Sequence, residues 1–401
     1  MHTIVYVTPP AHGHVNPTLP VMRELVQRGE RVIAYNTAEF RPQLEQAGAV
    51  FRAYPPTAMT ATTIALLLRD GNLANITELI LRTTEQLLPF ILQELAHEQP
   101  DLVVFDTIAL WAKMAATQLG LRAAASHTVF ILDDRQMRPG DLLPMLWQVL
   151  PKLPGILATR RRLVARYGKA FPAEQPLFPL RDGLNIVFTA RELQPDTSLI
   201  DGTFRFVGPS IDPQTRHEPF PLATLGEEPL VYISLGTIHA THTAFFRTCF
   251  EAFADHHMRF VLSVGKQTDI AQLGPIPANF VVRAAVPQLE ILQRAQIFIT
   301  HGGMNSVHEG LYYGVPLILI PHQFEQLFNA RCVAARGAGY LIDAQLKRQP
   351  ITAGTLRHAL ASVLAEPRFR AAAQALQRAL RATGGYRQAA DELQAYLALR
   401  G

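Results

Sequence analysis

A chain of 401 residues that is 48% hydrophobic and 17% charged has the composition of a globular protein and the length for two cores. Its formal net charge of +4 is small for that length, and no basic stripe with interleaved aromatics runs through it, which excludes a nucleic-acid binder. Two cysteines, Cys249 and Cys332, exclude a disulfide framework and a CxxC metal pair and fit a reducing cytoplasm.

The first apolar run, at 4–7, reads as a strand and not as a signal peptide, and apolar stretches such as 64–68 are too short to span a bilayer. A cytoplasmic protein with no stable membrane insertion is expected. Short β-branched runs predict strands at 4–7, 32–35, 50–53, 102–105, 123–126 and 186–188, with helical patterns at 15–28, 40–47 and 110–119 between them. Repeated strand–helix–strand order predicts a parallel sheet covered by helices on both faces. The stretch 57–99 exceeds an ordinary α/β loop and holds helical spacing at 64–68 and 76–88, as does 142–157. Extra helices packed on the core and a helical cap that receives an apolar acceptor are both compatible with that pattern. The run Arg160, Arg161, Arg162 and Arg166 reads as a solvated helix face, or as a surface for anionic lipid or substrate.

After residue 220 the rhythm restarts, with strands at 230–234, 260–263, 280–282, 297–300 and 317–320 and helices at 244–255, 289–294, 305–313 and 326–336. The proline- and glycine-dense 208–221 reads as a linker. The division expected is therefore 1–207 for a first domain, 222–385 for a second, and 386–401 for a terminal helix. Two such α/β domains imply a deep cleft between the carboxyl ends of their sheets. Leu393, Tyr396, Leu397 and Leu399 give the terminal segment an apolar stripe, so it docks on the first domain or packs on its own.

The densest chemistry lies in 285–326. A strand ends at His301, Gly302 and Gly303 form a turn, and a helix opens near Asn305 and Ser306. Glycines allow close backbone approach, and the exposed N–H groups of a helix N-terminus favour a diphosphate. Glu309, one turn on, can accept from ribose hydroxyls.

This segment resembles the signature box of the family 1 nucleotide-sugar glycosyltransferases, which include plant small-molecule glucosyltransferases and bacterial macrolide glycosyltransferases. The resemblance implies the GT-B arrangement, two Rossmann-like domains with parallel sheets and a C-terminal helix crossing back to the first. It implies that His301, Gly303, Asn305 and Ser306 meet the diphosphate, Glu309 the ribose, and Glu325 with Gln326 the sugar hydroxyls. Many members stack a tryptophan on uracil where this chain has Ala285. The base then falls to the backbone near Val286, to Gln288, or to apolar neighbours, and uracil and thymine both stay open. Thr237, in Ser234-Leu235-Gly236-Thr237, matches a threonine that touches the diphosphate; on residue type alone it is equally a turn.

Pro10-Ala11-His12-Gly13-His14-Val15-Asn16-Pro17 resembles the family's Gly-His-x-x-Pro element, which makes His14 the base and leaves His12 a loop residue. A neutral imidazole suits a hydroxyl proton, and Asp106, at the end of strand 102–105, is placed to orient it. His308 is expected only to pack on its helix.

The expected enzyme is an inverting, metal-independent glycosyltransferase with 1–207 as the acceptor domain and 222–385 as the donor domain. It uses a UDP-sugar co-substrate, UDP-glucose first, a small hydrophobic hydroxyl acceptor, and no cofactor or metal. No Asp-x-Asp triplet or His/Cys ligand cluster occurs. Alternatives are a membrane-docked transferase for lipid or carotenoid acceptors, a nucleotide-sugar epimerase of the same architecture, and a non-catalytic binder.

Overall fold

The computed structural model describes all residues except 57–59, 61–63, 65–72, 134–145, 148, 213–219, 237–242, 345–348 and 400–401. The chain divides into two compact units, Met1–Ile211 with Thr383–Gly401, and Asp212–Ala382.

In the first unit, strands β1 (Thr3–Val7), β2 (Arg31–Asn36), β3 (Val50–Ala53), β4 (Leu102–Asp106), β5 (Ala123–His127), β6 (Leu184–Val187) and β7 (Phe204–Phe206) form a seven-stranded sheet in the order 3-2-1-4-5-6-7. Every neighbouring pair is parallel. The helices are α1 (His12–Val15), α2 (Thr18–Gln27), α3 (Arg41–Gln46), α4 (Leu73–Glu98), α5 (Leu110–Leu119) and α6 (Leu153–Tyr167). The central strands are buried on both faces, and their side chains alternate between two cores. Val5, Val7, Val103 and Phe105 pack with Leu88 and Ile91 of α4 and Trp111 of α5. Ile4, Tyr6, Leu102 and Val104 pack on the other face with Met22 and Leu25 of α2 and Leu393 near the C-terminus. Strand order reverses between β1 and β4, so the carboxyl ends of those two strands open the crevice where α/β sheets bind ligands.

The helix expected over 15–28 is broken. Pro17 has no N–H to donate, and the Thr18 hydroxyl donates to Val15 O at 2.8 Å, so α1 ends and α2 starts afresh. The pattern at 76–88 belongs to a longer helix, α4, which carries Pro89 inside it and runs to Glu98. Its Leu81, Leu88, Ile91 and Leu95 are fully buried, so this helix packs on the core. Of 64–68, all but Ile64 lies outside the described residues, as does 142–145.

In the second unit, β8 (Leu230–Ser234), β9 (Arg259–Ser263), β10 (Phe280–Arg283), β11 (Ala295–Thr300), β12 (Leu317–Leu319) and β13 (Gly339–Leu341) form a parallel sheet in the order 10-9-8-11-12-13. Its helices are α7 (Thr243–Phe253), α8 (Gln288–Arg294), α9 (Met304–Tyr312), α10 (Phe324–Ala335), α11 (Ala353–Ala365) and α12 (Pro367–Ala382). The reversal here falls between β8 and β11.

The chain then returns to the first unit through α13 (Gly385–Ala398). Gly384 and Gly385 take φ of +85° and +61°, which side chains rarely adopt, and the Gly385 N–H donates to Val207 O at 2.7 Å. Ala389, Ala390 and Leu393 are the buried residues of α13, while Leu399, expected in its stripe, is 61% exposed. The helix's polar side dock as well: Arg28 donates to Asp391 at 2.5 Å and Arg205 to Glu392 at 3.2 Å. Arg122 closes the C-terminal end by donating to the carbonyls of Tyr396, Leu397 and Leu399 at 2.6, 2.9 and 2.6 Å.

Candidate active site

In the first unit, β1 delivers the chain to α1 and β4 ends on Asp106, so the two sides of the reversal meet through side chains. His14 Nδ1 lies 2.8 Å from Asp106 Oδ2, with the histidine side chain 19% exposed and the aspartate side chain fully buried. The other carboxylate oxygen accepts the Ile108 N–H at 3.0 Å. An ionised carboxylate only accepts, so Nδ1 carries the proton and the lone pair sits on Nε2. The Thr128 hydroxyl is 3.1 Å from the same Nδ1, one residue beyond β5, which pairs with β4. The next ring along, His127, is buried with its Nε2 on Asn185 at 3.3 Å, and burial pushes its pKa down to about 4. It stays neutral and is a structural neighbour of the pair.

In the second unit, β11 ends at Thr300 and α9 begins at Met304, with His301, Gly302 and Gly303 between. The His301 ring lies between two glycines. A Cβ on Gly236 would come within 2.6 Å of the ring and one on Gly303 within 2.5 Å, so only glycine admits it at either place. Gly236 follows β8 and His301 follows β11, the two strands at the reversal. The N–H groups of Met304, Asn305 and Ser306 open α9, where helix geometry gives them no intrahelical acceptor. Anions are favoured at such an end. Glu309, 2% exposed, accepts from Gln288 Nε2 at 2.5 Å, and Gln288 in turn accepts the Tyr232 hydroxyl at 2.9 Å. Glu325 is exposed and accepts from Asn329 at 2.9 Å; Gln326 is buried, with its carbonyl oxygen on the His322 N–H at 2.9 Å. Among the described residues, no group of three or more His, Cys, Asp or Glu side chains is placed to hold a metal ion.

Comparison with known proteins matches residues 250–394 to the family described as erythromycin biosynthesis protein CIII-like, C-terminal domain. The chain is 33% identical over 395 residues to the NDP-glycosyltransferase YjiC of Bacillus licheniformis, covering 98% of this chain and 97% of that protein. It is 31% identical over 389 residues to the YjiC of Bacillus subtilis, covering 97% and 95%. The chain belongs to the family 1 glycosyltransferases. A solved structure, the glycotransferase of kitacinnamycin, superposes with a TM-score of 0.83 at 29% identity and covers 99% of both chains. The two parallel-sheet units of this glycosyltransferase are those of the GT-B structures.

Within the glycosyltransferase, the structure brings His14 to Asp106, Gln288 to Glu309, and His301 to the glycine turn before Asn305 and Ser306. Glu325 and Gln326 differ in setting: the glutamate is exposed, while the glutamine is buried, accepts the His322 N–H and donates to Gln323 Oε1 at 3.3 Å. Val286 is buried, 7% exposed as a whole residue. Thr237 lies outside the described residues. His12 opens α1 against Phe40, ring centroids 4.9 Å apart, so it is a helix residue and not part of a loop. His308 is buried in α9, and burial lowers its pKa to about 3.

Sequence reasoning missed Thr128. Its signal was only its place at a strand end beside Asp106, and that is visible once strand order is known. Thr128→Val keeps the shape and removes one hydrogen bond worth ~1 kcal/mol, so kcat should fall about fivefold. Donor KM should stay unchanged and Tm should fall by no more than about 2–4 °C, as steady-state kinetics and a melting curve would check. Gly303→Ala should act on the donor instead. The methyl group displaces His301, and with His301 as the expected diphosphate donor, UDP affinity by calorimetry should drop roughly 10-fold or more, the worth of one hydrogen bond to a charged group.

Proposed function

We propose that the protein transfers a sugar from a nucleotide diphosphate, UDP-glucose being the working donor, to a hydroxyl of a small and largely apolar acceptor. The 2.8 Å contact between His14 and Asp106 carries the reading, because it makes Nε2 the basic nitrogen of a partly exposed imidazole. The acceptor hydroxyl gives its proton to Nε2 as its oxygen attacks the anomeric carbon opposite the diphosphate. Direct displacement inverts that centre, so an α-linked donor gives a β-glycoside. Asp106 stabilises the imidazolium as it forms, and Thr128 steadies the ring.

The leaving diphosphate gathers charge as the bond breaks. The N–H groups that open α9, His301 and Ser306 are donors aimed at that charge and supply what a divalent cation would otherwise supply. Glu309, held by Gln288, takes the ribose hydroxyls, and the exposed Glu325 takes sugar hydroxyls. The relatives named NDP-glycosyltransferase support a nucleotide donor, and the glycotransferase of kitacinnamycin supports a natural-product acceptor. Two buried thiols in separate helices fit a cytoplasmic protein.

The test is a mass-spectrometric screen of phenols, macrolides and terpenoids with UDP-glucose after exhaustive EDTA treatment. Product β-glycoside at undiminished rate is expected. Loss of activity that Mg²⁺ restores would reject the metal-independent mechanism, and interconversion of donor without acceptor would mean an isomerase.

A further inference from the structure

We infer that the outer face of α6, with the residues leading into it, docks on an anionic lipid bilayer. Residues 146–171 hold six cations, Lys152, Arg160, Arg161, Arg162, Arg166 and Lys169, and no aspartate or glutamate. The inner face of α6 is accounted for. Ile156, Thr159 and Leu163 are at most 8% exposed, and Ile156 and Leu163 pack into the same core as α4. The flank beside it is apolar too. Leu153, Leu157 and Val164 are 38%, 38% and 40% exposed, and spacings of four and seven put them in one stripe. Leu146, Trp147 and Leu150, among the residues leading into α6, are 57%, 70% and 55% exposed. Single exposed apolar residues need no explanation, but a contiguous set marks an interaction surface.

The charges sort by face. Lys152 and Arg162 turn toward α4, where they meet Glu78 at 2.9 Å and Glu85 at 2.6 Å. Arg160, whose guanidinium lies over the Phe171 ring 5.6 Å from its centroid, and Arg161 are exposed and flank the apolar stripe on either side. A helix with leucines and a valine along one flank, arginines at its border and an exposed tryptophan leading into it lies in the plane of a membrane interface, its apolar side in the acyl boundary and its cations among the headgroups. No helix among the described residues is long and apolar enough to cross a membrane, so the contact is peripheral. The charge also chooses the occupant. A second copy meeting this face across a two-fold axis would set Arg160 and Arg161 against their own kind, whereas phosphate headgroups complement them. The inference does not rest on the transfer mechanism; it concerns where the enzyme works and favours acceptors that partition into lipid.

The experiment is co-sedimentation of the full-length protein with vesicles of phosphatidylglycerol and phosphatidylcholine, against phosphatidylcholine alone. Binding to the anionic vesicles, release on raising salt, and little binding to the neutral ones are expected. Arg160→Gln with Arg161→Gln should lower the partition coefficient about 25-fold, roughly fivefold per arginine, while Arg160→Lys with Arg161→Lys retains it. Leu157→Ser should weaken binding with Tm unchanged. Equal binding to both vesicle types, no binding of the wild-type protein, or full retention in the glutamine variant would overturn the proposal. A concentration-dependent dimer abolished by Leu157→Ser would also overturn it and assign the face to a second copy.

Discussion

His14→Ala is expected to lower kcat by roughly 100-fold or more on an alcohol acceptor, since positioned general-base catalysis supplies ~10²–10⁴. The loss should appear in kcat and leave UDP affinity alone, because the groups proposed for the diphosphate belong to the second unit. Asp106→Asn should move kcat the same way for a different reason. An amide NH₂ set against Nδ1 donates where the carboxylate accepted, which drives the ring proton to Nε2 and removes the lone pair needed for the hydroxyl. The Ile108 N–H still finds an acceptor in the amide oxygen, so stability should change less than turnover. An acidic phenol, already ionised, would partly escape both losses. Near-normal turnover of His14→Ala with an alcohol would remove the base from the mechanism.

The parts of this protein that could be read from its sequence are those in which a short segment carries its own pattern. Strand β1 and its neighbours are apolar runs because parallel strands are buried on both faces, and that was visible at 4–7 and 102–105. β7 and β13 lack the continuous apolar run that marks the equally short β12, since β7 has an arginine at its centre and β13 begins on glycine. Pro89 argues for a helix end near 88, yet α4 continues because Ile91 and Leu95 extend the buried stripe of Leu87 and Leu88. α11 and α12 fell outside the reading because they follow the last strand and break the alternation that organised it.

The same division runs through the site. His14, His301 and Glu309 were legible because each sits in a local motif next to a strand end or helix start. Thr128 was not, since its partner is 114 residues away and is fixed only by β5 lying beside β4. The local geometry of Gln326 was equally hidden, since nothing in residue type shows that its oxygen accepts the His322 N–H four residues back.

Removing residues 386–401 is expected to damage the first unit more than its size implies. Helix α13 covers the face of the sheet that carries Ile4, Tyr6, Leu102 and Val104, and its Ala389, Ala390 and Leu393 are at most 1% exposed. Truncating one such leucine, Leu393→Ala, should cost ~2–5 kcal/mol in a urea titration, from lost burial and the cavity left behind. Arg122→Ala should cost less, about 1–3 kcal/mol, because it strips three carbonyls of their donor at an end that water can partly reach. Deleting the whole helix does both at once and bares a continuous apolar surface. It should bring a lower melting midpoint, dye binding to exposed apolar surface, and a fall in kcat as the sheet that positions His14 and Asp106 loosens. UDP binding should persist, since the second unit keeps its own sheet and helices. That split separates a mechanical role from a direct one, because a helix that touched the donor would change UDP affinity when removed. A truncated protein with an unchanged midpoint and full activity would show that α13 merely rests on the sheet.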